Sequence, residues 1–172
     1  LYHSTGNVIV NNRISHVQSN AILLWDMSGN NILRANVINS SYNGISLHYS
    51  SNNNTVVNNE VSQIDSWTII FDDSSGNIVY QNSFLDSAIE AYDNGLNYWS
   101  FGRQGNYWGD YEGQDKDEDD ILDVPYRIAP NGTDSFPLTG PKPITLVPIP
   151  ELEPATPPII VEPPGPRDVV IT

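Results

Sequence analysis

Along the first half of the chain, short runs of β-branched and other apolar residues alternate with polar ones, and asparagine punctuates them at a fixed interval. Asn7, Asn31, Asn54 and Asn77 follow one another at 24, 23 and 23 residues, and Asn12, Asn36, Asn59 and Asn82 keep the same spacing. The apolar positions Ile14, Ile38, Val61 and Phe84 recur in step with them. A second apolar pair returns in each unit as Ile22 and Leu24, Ile45 and Leu47, Ile69 and Phe71, and Ile89 and Ala91, the later pairs shifted by a residue or two. The alternation has the period of a strand, and no segment carries apolar residues at helical spacing over helical length. A repeat of this period without a leucine ladder predicts stacked coils of short parallel strands, each coil rising by about 4.8 Å. Inward β-branched side chains would stack on their copies, and Asn12, Asn36, Asn59 and Asn82 would form an amide ladder at the bends. Asparagine also tolerates left-handed turns, so both roles are expected of it. Four coils are visible over residues 6–94.

The predicted fold is therefore all-β: a right-handed parallel β-helix, a single-stranded solenoid, with a C-terminal aromatic cap and an extended proline-rich tail. Coils occupy residues 1–95. The cap, residues 96–140, is dense in Tyr98, Trp99, Phe101, Tyr107, Trp108 and Tyr111. A solenoid end must cover its core and strand edges, so these rings read first as packing and second as a sugar-binding platform. Residues 141–172 hold many of the 13 prolines. They predict polyproline-type structure with no core of its own, a tail or a linker.

Charge narrows the partners. The 172 residues carry 21 acidic against 7 basic side chains, a formal charge of −14. Such a surface argues against binding nucleic acid or anionic lipid, and it favours cations. No cysteine is present, which removes disulfides, zinc–thiolate sites and thiol nucleophiles. No run approaches the roughly 20 apolar residues of a membrane span. The start at Leu1, without Met or a signal-peptide pattern, leads us to expect a processed or excised chain.

The segment Gly105–Ile128, GNYWGDYEGQDKDEDDILDVPYRI, together with DSFPL at Asp134–Leu138, resembles the C-terminal signature of NosD-like β-helix proteins. Those proteins carry asparagine-rich repeats of the same kind. The resemblance covers residues 1 to about 140. It implies a parallel β-helix of the carbohydrate-binding and sugar-hydrolase repeat type, as in bacterial periplasmic and archaeal surface proteins. It implies neither one activity nor one ligand, because fold does not fix function.

Within that segment lies the main candidate for chemistry. Asp115, Asp117 and Asp119 alternate and are followed by Asp123. They match the first, third, fifth and ninth positions of a calcium loop, with Ile121 offering its carbonyl at the seventh. Asp120 stands where such a loop has glycine, and Tyr126 where it has a bidentate glutamate; Asp110, Glu112 or Asp134 would then have to help. The plain alternative is a solvated acidic turn. Copper calls for clustered His, Met or Cys, but Met27 is the sole methionine, and His3, His16 and His48 fall at different repeat positions and read as single exposed histidines.

For glycoside hydrolysis, Asp26, Asp72 or Asp73, and Asp93 follow the same apolar pair in their coils, with Tyr49 between them. They could line one face, although a lyase would also want a base, and only Arg13, Arg34 and Arg103 precede the acidic loop. No residue is assigned a catalytic role on this pattern. Asn39, Asn53 and Asn131 begin glycosylation sequons. The expected function is a non-enzymatic structural or adhesive module of the cell surface, extracellular space or periplasm. It would self-assemble by docking tail strands, within Ile144–Ile149, Pro158–Glu162 or Asp168–Thr172, on a neighbour's first coil. The alternative is a carbohydrate-binding or polysaccharide-active β-helix.

Overall fold

The computed structural model describes residues 1–86, 90–146 and 148, and among them there are fifteen strands and no helix. The strands form three sheets that run along the coil stack. The first holds β1 (Val8–Val10), β4 (Ile32–Arg34), β7 (Thr55–Val57) and β10 (Ile78–Tyr80), all parallel. The second holds β2 (Arg13–Ser15), β5 (Val37–Ser41), β8 (Glu60–Ile64), β11 (Ser83–Phe84) and β13 (Tyr107–Trp108). The third holds β3 (Asn20–Trp25), β6 (Asn43–His48), β9 (Ile69–Asp72), β12 (Ala91–Asp93) and β14 (Tyr126–Pro130), and ends in β15 (Gly132–Asp134), which pairs antiparallel with β14. The chain is a parallel β-helix of the repeat that the periodicity predicts.

Strand registers show why these residues stack. Ile14 lies over Ile38, Ile38 over Val61 and Val61 over Phe84, the column read from the spacing. Trp108 adds one more rung beneath Phe84, beyond Gly95. A second column runs Ile9, Leu33, Val56, Val79. The third sheet stacks Ile22 on Ile45 and Ile69, and Leu24 on Leu47 and Phe71. One expected rung is displaced: Ala91 lies beneath Ile69, and the position beneath Phe71 is filled by Asp93. Ile89 lies outside the described residues. Most of these inward side chains are fully buried, and together they form one core.

The asparagines form two ladders rather than one. In the first, the backbone N–H and Nδ2 of Asn7 both donate to Oδ1 of Asn31, and the pattern repeats through Asn54, Asn77 and Asn97. In the second, Asn12 donates in the same way to Asn36, followed by Asn59, Asn82 and Asn106. Most interior amides also send an N–H back to the coil above, as from Asn59 Nδ2 to the Leu33 carbonyl at 3.0 Å. The turning is left to the residue in front. Gly6, Asn30, Asn53 and Gly76 precede the first ladder and Asn11, Ala35, Asn58 and Gln81 the second, all with φ between 51° and 70°.

Both ladders end on a buried carboxylate, which accepts without donating. Asn97 Nδ2 donates to Asp93 Oδ1 at 2.7 Å, while Trp99 Nε1 and the Gly95 N–H complete that acid's partners. Asn106 donates through N–H and Nδ2 to Asp134 Oδ2, which also takes Trp108 Nε1, and Phe136 N–H donates to Oδ1. The same indoles cover the apolar columns: Trp99 stacks on Phe71 at 5.3 Å and Trp108 packs on Phe84 at 4.7 Å, with Tyr126 parallel to Trp108 at 4.1 Å. No buried side-chain nitrogen or oxygen among the described residues lacks a hydrogen bond.

Beyond Leu138 the chain folds back along the corner between the first two sheets. Lys142 N–H donates to Ser83 Oγ, Asn58 Nδ2 donates to the Pro143 carbonyl, and Thr145 N–H donates to Asn58 Oδ1. Of the tail segments expected to dock on a neighbour, Pro158–Glu162 and Asp168–Thr172 lie outside the described residues.

Ile38→Ala should cost about 2–5 kcal/mol by leaving a cavity. Asn59→Ala should cost about as much, because several buried donors and acceptors lose their partners at about 1–3 kcal/mol each. Urea denaturation of the two variants compares them directly; a near-silent Asn59→Ala would contradict the ladder's role. Val61→Asp, a charge placed in the dry column, should prevent folding as read by circular dichroism. Burial pushes the Asp134 carboxyl above its ordinary 3.8, against the lowering pull of its bonds from Trp108, Asn106 and Phe136. Folding therefore moves its ionisation to higher pH, so the carboxyl's contribution to stability is fully present below pH 3.8 and declines as pH rises through the folded value, while its acceptor role in the ladder belongs to the ionised form. Relative to Asp134→Asn, the parent should lose melting temperature across that rise, and a pH-independent difference would refute the assignment.

Candidate functional site

The acidic loop joins β13 to β14. Asp115, Asp117 and Asp119 each bring a carboxylate oxygen within 4.8 Å of the others. The loop shapes itself around its own amides: Asp119 and Asp120 N–H donate to the two oxygens of Asp115, and Ile121 N–H donates to Asp119 Oδ1. Glu118 and Asp120 take φ of 58° and 66°. Asp120 thus adopts the left-handed turn that a glycine makes at this place in a calcium loop. Arg103 pairs with Asp119 Oδ2 and lies 5.8 Å from the Phe136 ring. The negative charge of Asp119 is the main cause that raises the Asp117 carboxyl above its ordinary value. Three converging carboxylates facing one guanidinium form a set of hard oxygens able to hold a metal ion.

The other residues expected at this site divide. Asp123 and Ile121 line the same cleft of about 170 Å³ with Arg103, Asp117 and Asp119, but Asp123 is not among the three converging acids. Asp134, offered as a helper, is buried and committed to Asn106, Trp108 and Phe136. Asp110 faces the Tyr126 hydroxyl at 3.3 Å. Burial, then the Asp110 charge, pushes that hydroxyl's pKa far up. No sequence signal tied Asp134 to the ladder, since its partners stand 26 and 28 residues upstream. Asn106, by contrast, was legible as the next step of 24 after Asn82.

A second cluster lies at the outer corner of the third sheet. Tyr2, Trp25, His48 and Asp72 share one register. Trp25 contacts Tyr49 at 4.6 Å and His48 at 5.4 Å between ring centroids. The histidines are not single exposed side chains throughout: His3 Nε2 lies 3.1 Å from Asp26, and His48 Nδ1 lies 3.5 Å from Asp72. Each faces a carboxylate of the following coil, an arrangement the repeat hides because His3 and His48 occupy neighbouring columns. The acids imagined along one face are dispersed in role. Asp93 is buried beneath Trp99, Asp26 and Asp72 face histidines, and Asn94 Nδ2 donates to Asp72 at 2.8 Å.

Of the sequon asparagines, Asn53 is exposed at a left-handed turn and Asn39 is half-buried within β5. Asn131 is exposed, with Nδ2 donating to the Asn94 carbonyl at 2.9 Å.

Coil stacking, asparagine ladders and carboxylate-stopped ends define a parallel β-helix repeat protein. Residues 1–113 match the family described as Periplasmic copper-binding protein (NosD), and the chain belongs to that family. The family is a periplasmic one, and no helix among the described residues is long and apolar enough to cross a membrane. The match ends just before the acidic loop. Neither the curated proteins nor the solved structures returned a match.

Proposed function

We propose that this chain is a structural, non-catalytic β-helix module whose acidic loop binds calcium. The observation that carries the reading is the convergence of Asp115, Asp117 and Asp119 on one point, with every donor a hard carboxylate oxygen. Absence of a catalytic role is supported by the fate of Asp26, Asp72 and Asp93, each engaged with a neighbouring side chain of the fold.

Copper, named in the family's description, does not fit the residues brought together here. Copper sites draw on imidazole, thiolate or thioether. The three-ligand group among the described residues is all carboxylate, and His3 and His48 stand two coils apart with the Trp25–Asp26 coil between them.

Isothermal titration with calcium chloride should give saturable heat, and calcium should raise the melting temperature. Asp117→Asn should weaken binding, whereas Arg103→Gln should tighten it by freeing Asp119. Affinity should fall as pH is lowered, because the raised Asp117 carboxyl, held up mainly by the charge of Asp119, must lose its proton to ligate. An absence of heat at millimolar calcium would remove the reading.

A second reading, that the corner of Tyr2, Trp25, His48 and Tyr49 binds carbohydrate, is favoured by the contacting rings of Trp25, His48 and Tyr49, the last 47% exposed, and by Tyr2, 63% exposed and in register with Trp25. Neutral oligosaccharides should then change tryptophan fluorescence, and Tyr49→Ala should abolish the change.

A further inference from the structure

The returning segment after Leu138 does more than cross the coil corners: it encloses a cleft. Arg34, Val57, Asn58, Tyr80, Gln81 and Lys142 are among the residues that line a cavity of about 370 Å³. One wall is sheet, for Arg34, Val57 and Tyr80 succeed one another in register on β4, β7 and β10. The other wall is the segment Lys142–Thr145, pinned by both ends of the Asn58 amide. The charge of this cavity opposes that of the molecule. Only 7 of 172 residues are Lys or Arg against 21 acids, yet the lining includes Arg34 and Lys142 and no acid. Neither cation takes part in the ion pairs found among the described residues, which use His3, His48 and Arg103.

We propose that this cleft binds a small organic anion, its carboxylate or phosphate held by Arg34 and Lys142. A guanidinium presents paired donors that match either oxyanion, and an ammonium adds a compact second charge. Asn58, Tyr80 and Gln81 line the same space as polar residues, while Val57 adds an apolar one. The volume lies in the range of small-ligand pockets. Because the segment carrying Lys142 is one wall, the ligand would bind both walls at once and hold the segment to the coils.

Isothermal titration of the full chain at low ionic strength, with inorganic phosphate in one series and citrate in another, tests this. Saturable heat with either supports the proposal, and the stronger of the two identifies the oxyanion. Arg34→Gln and Lys142→Gln should each weaken binding at least about tenfold, the loss of one charge-assisted hydrogen bond, with an unchanged circular dichroism spectrum. Asn58→Ala keeps both cations but unpins the wall, and should weaken binding as well. No heat with either anion at millimolar concentration, or binding indifferent to Arg34→Gln and Lys142→Gln, would overturn the proposal.

Discussion

Everything in this fold depends on a buried amide never being left alone. A primary amide carries two donors and an acceptor with two lone pairs, and in a dry interior each must be met. Stacked parallel coils meet them by translation: what one asparagine offers downward, its copy accepts, at a rise that matches the strand spacing. Asn59 shows the full set, accepting from Asn36 while donating to Asn82, Leu33 and Val57. The ladder locks the register of all three sheets, since a coil slipped by one residue would orphan the amides of its neighbours as well as its own. Apolar columns supply cohesion, but columns of Ile, Val and Leu tolerate small slips that hydrogen bonds do not.

The same requirement explains the outline of each coil. A left-handed residue stands immediately before every one of the four repeated rungs of each ladder, turning the backbone so that the next side chain points inward. The coil corners are thereby fixed, and the corners carry whatever the surface can do. The His–Asp pairs and rings gather at one, and the cleft under Lys142–Thr145 forms at another. The acidic loop belongs to the terminal segment, where the chain has left the repeat.

How much of this was legible depended on distance along the chain. Ile14, Ile38, Val61 and Phe84 could be placed on one another because identical environments recur at a constant interval. The displaced rung at Ala91 could not, because Asp93 fills an inward position that every earlier coil gives to an apolar residue, and only Trp99 explains why. Asp134 was invisible for a similar reason: an acid in an acidic stretch reads as solvated until the ladder above it is seen. The convergence of Asp115, Asp117 and Asp119 follows from simple alternation and needed no tertiary information. The pairing of His48 with Asp72 required the register, which spacing alone fixes to within a residue or two.

The ladders have a direction. Amide follows amide from donor to acceptor, always toward the C-terminal end, until Asp93 and Asp134 close the series. Every junction between interior coils is therefore chemically the same junction, and the terminus is written once. In evolutionary terms such a stack is a sentence that lengthens by inserting clauses before a fixed full stop. A tandem duplication of one 23-residue unit adds a coil with all its partners already in place, without a new interface having to arise. Descendants of one ancestral chain can accordingly differ in the number of coils while keeping the same ending.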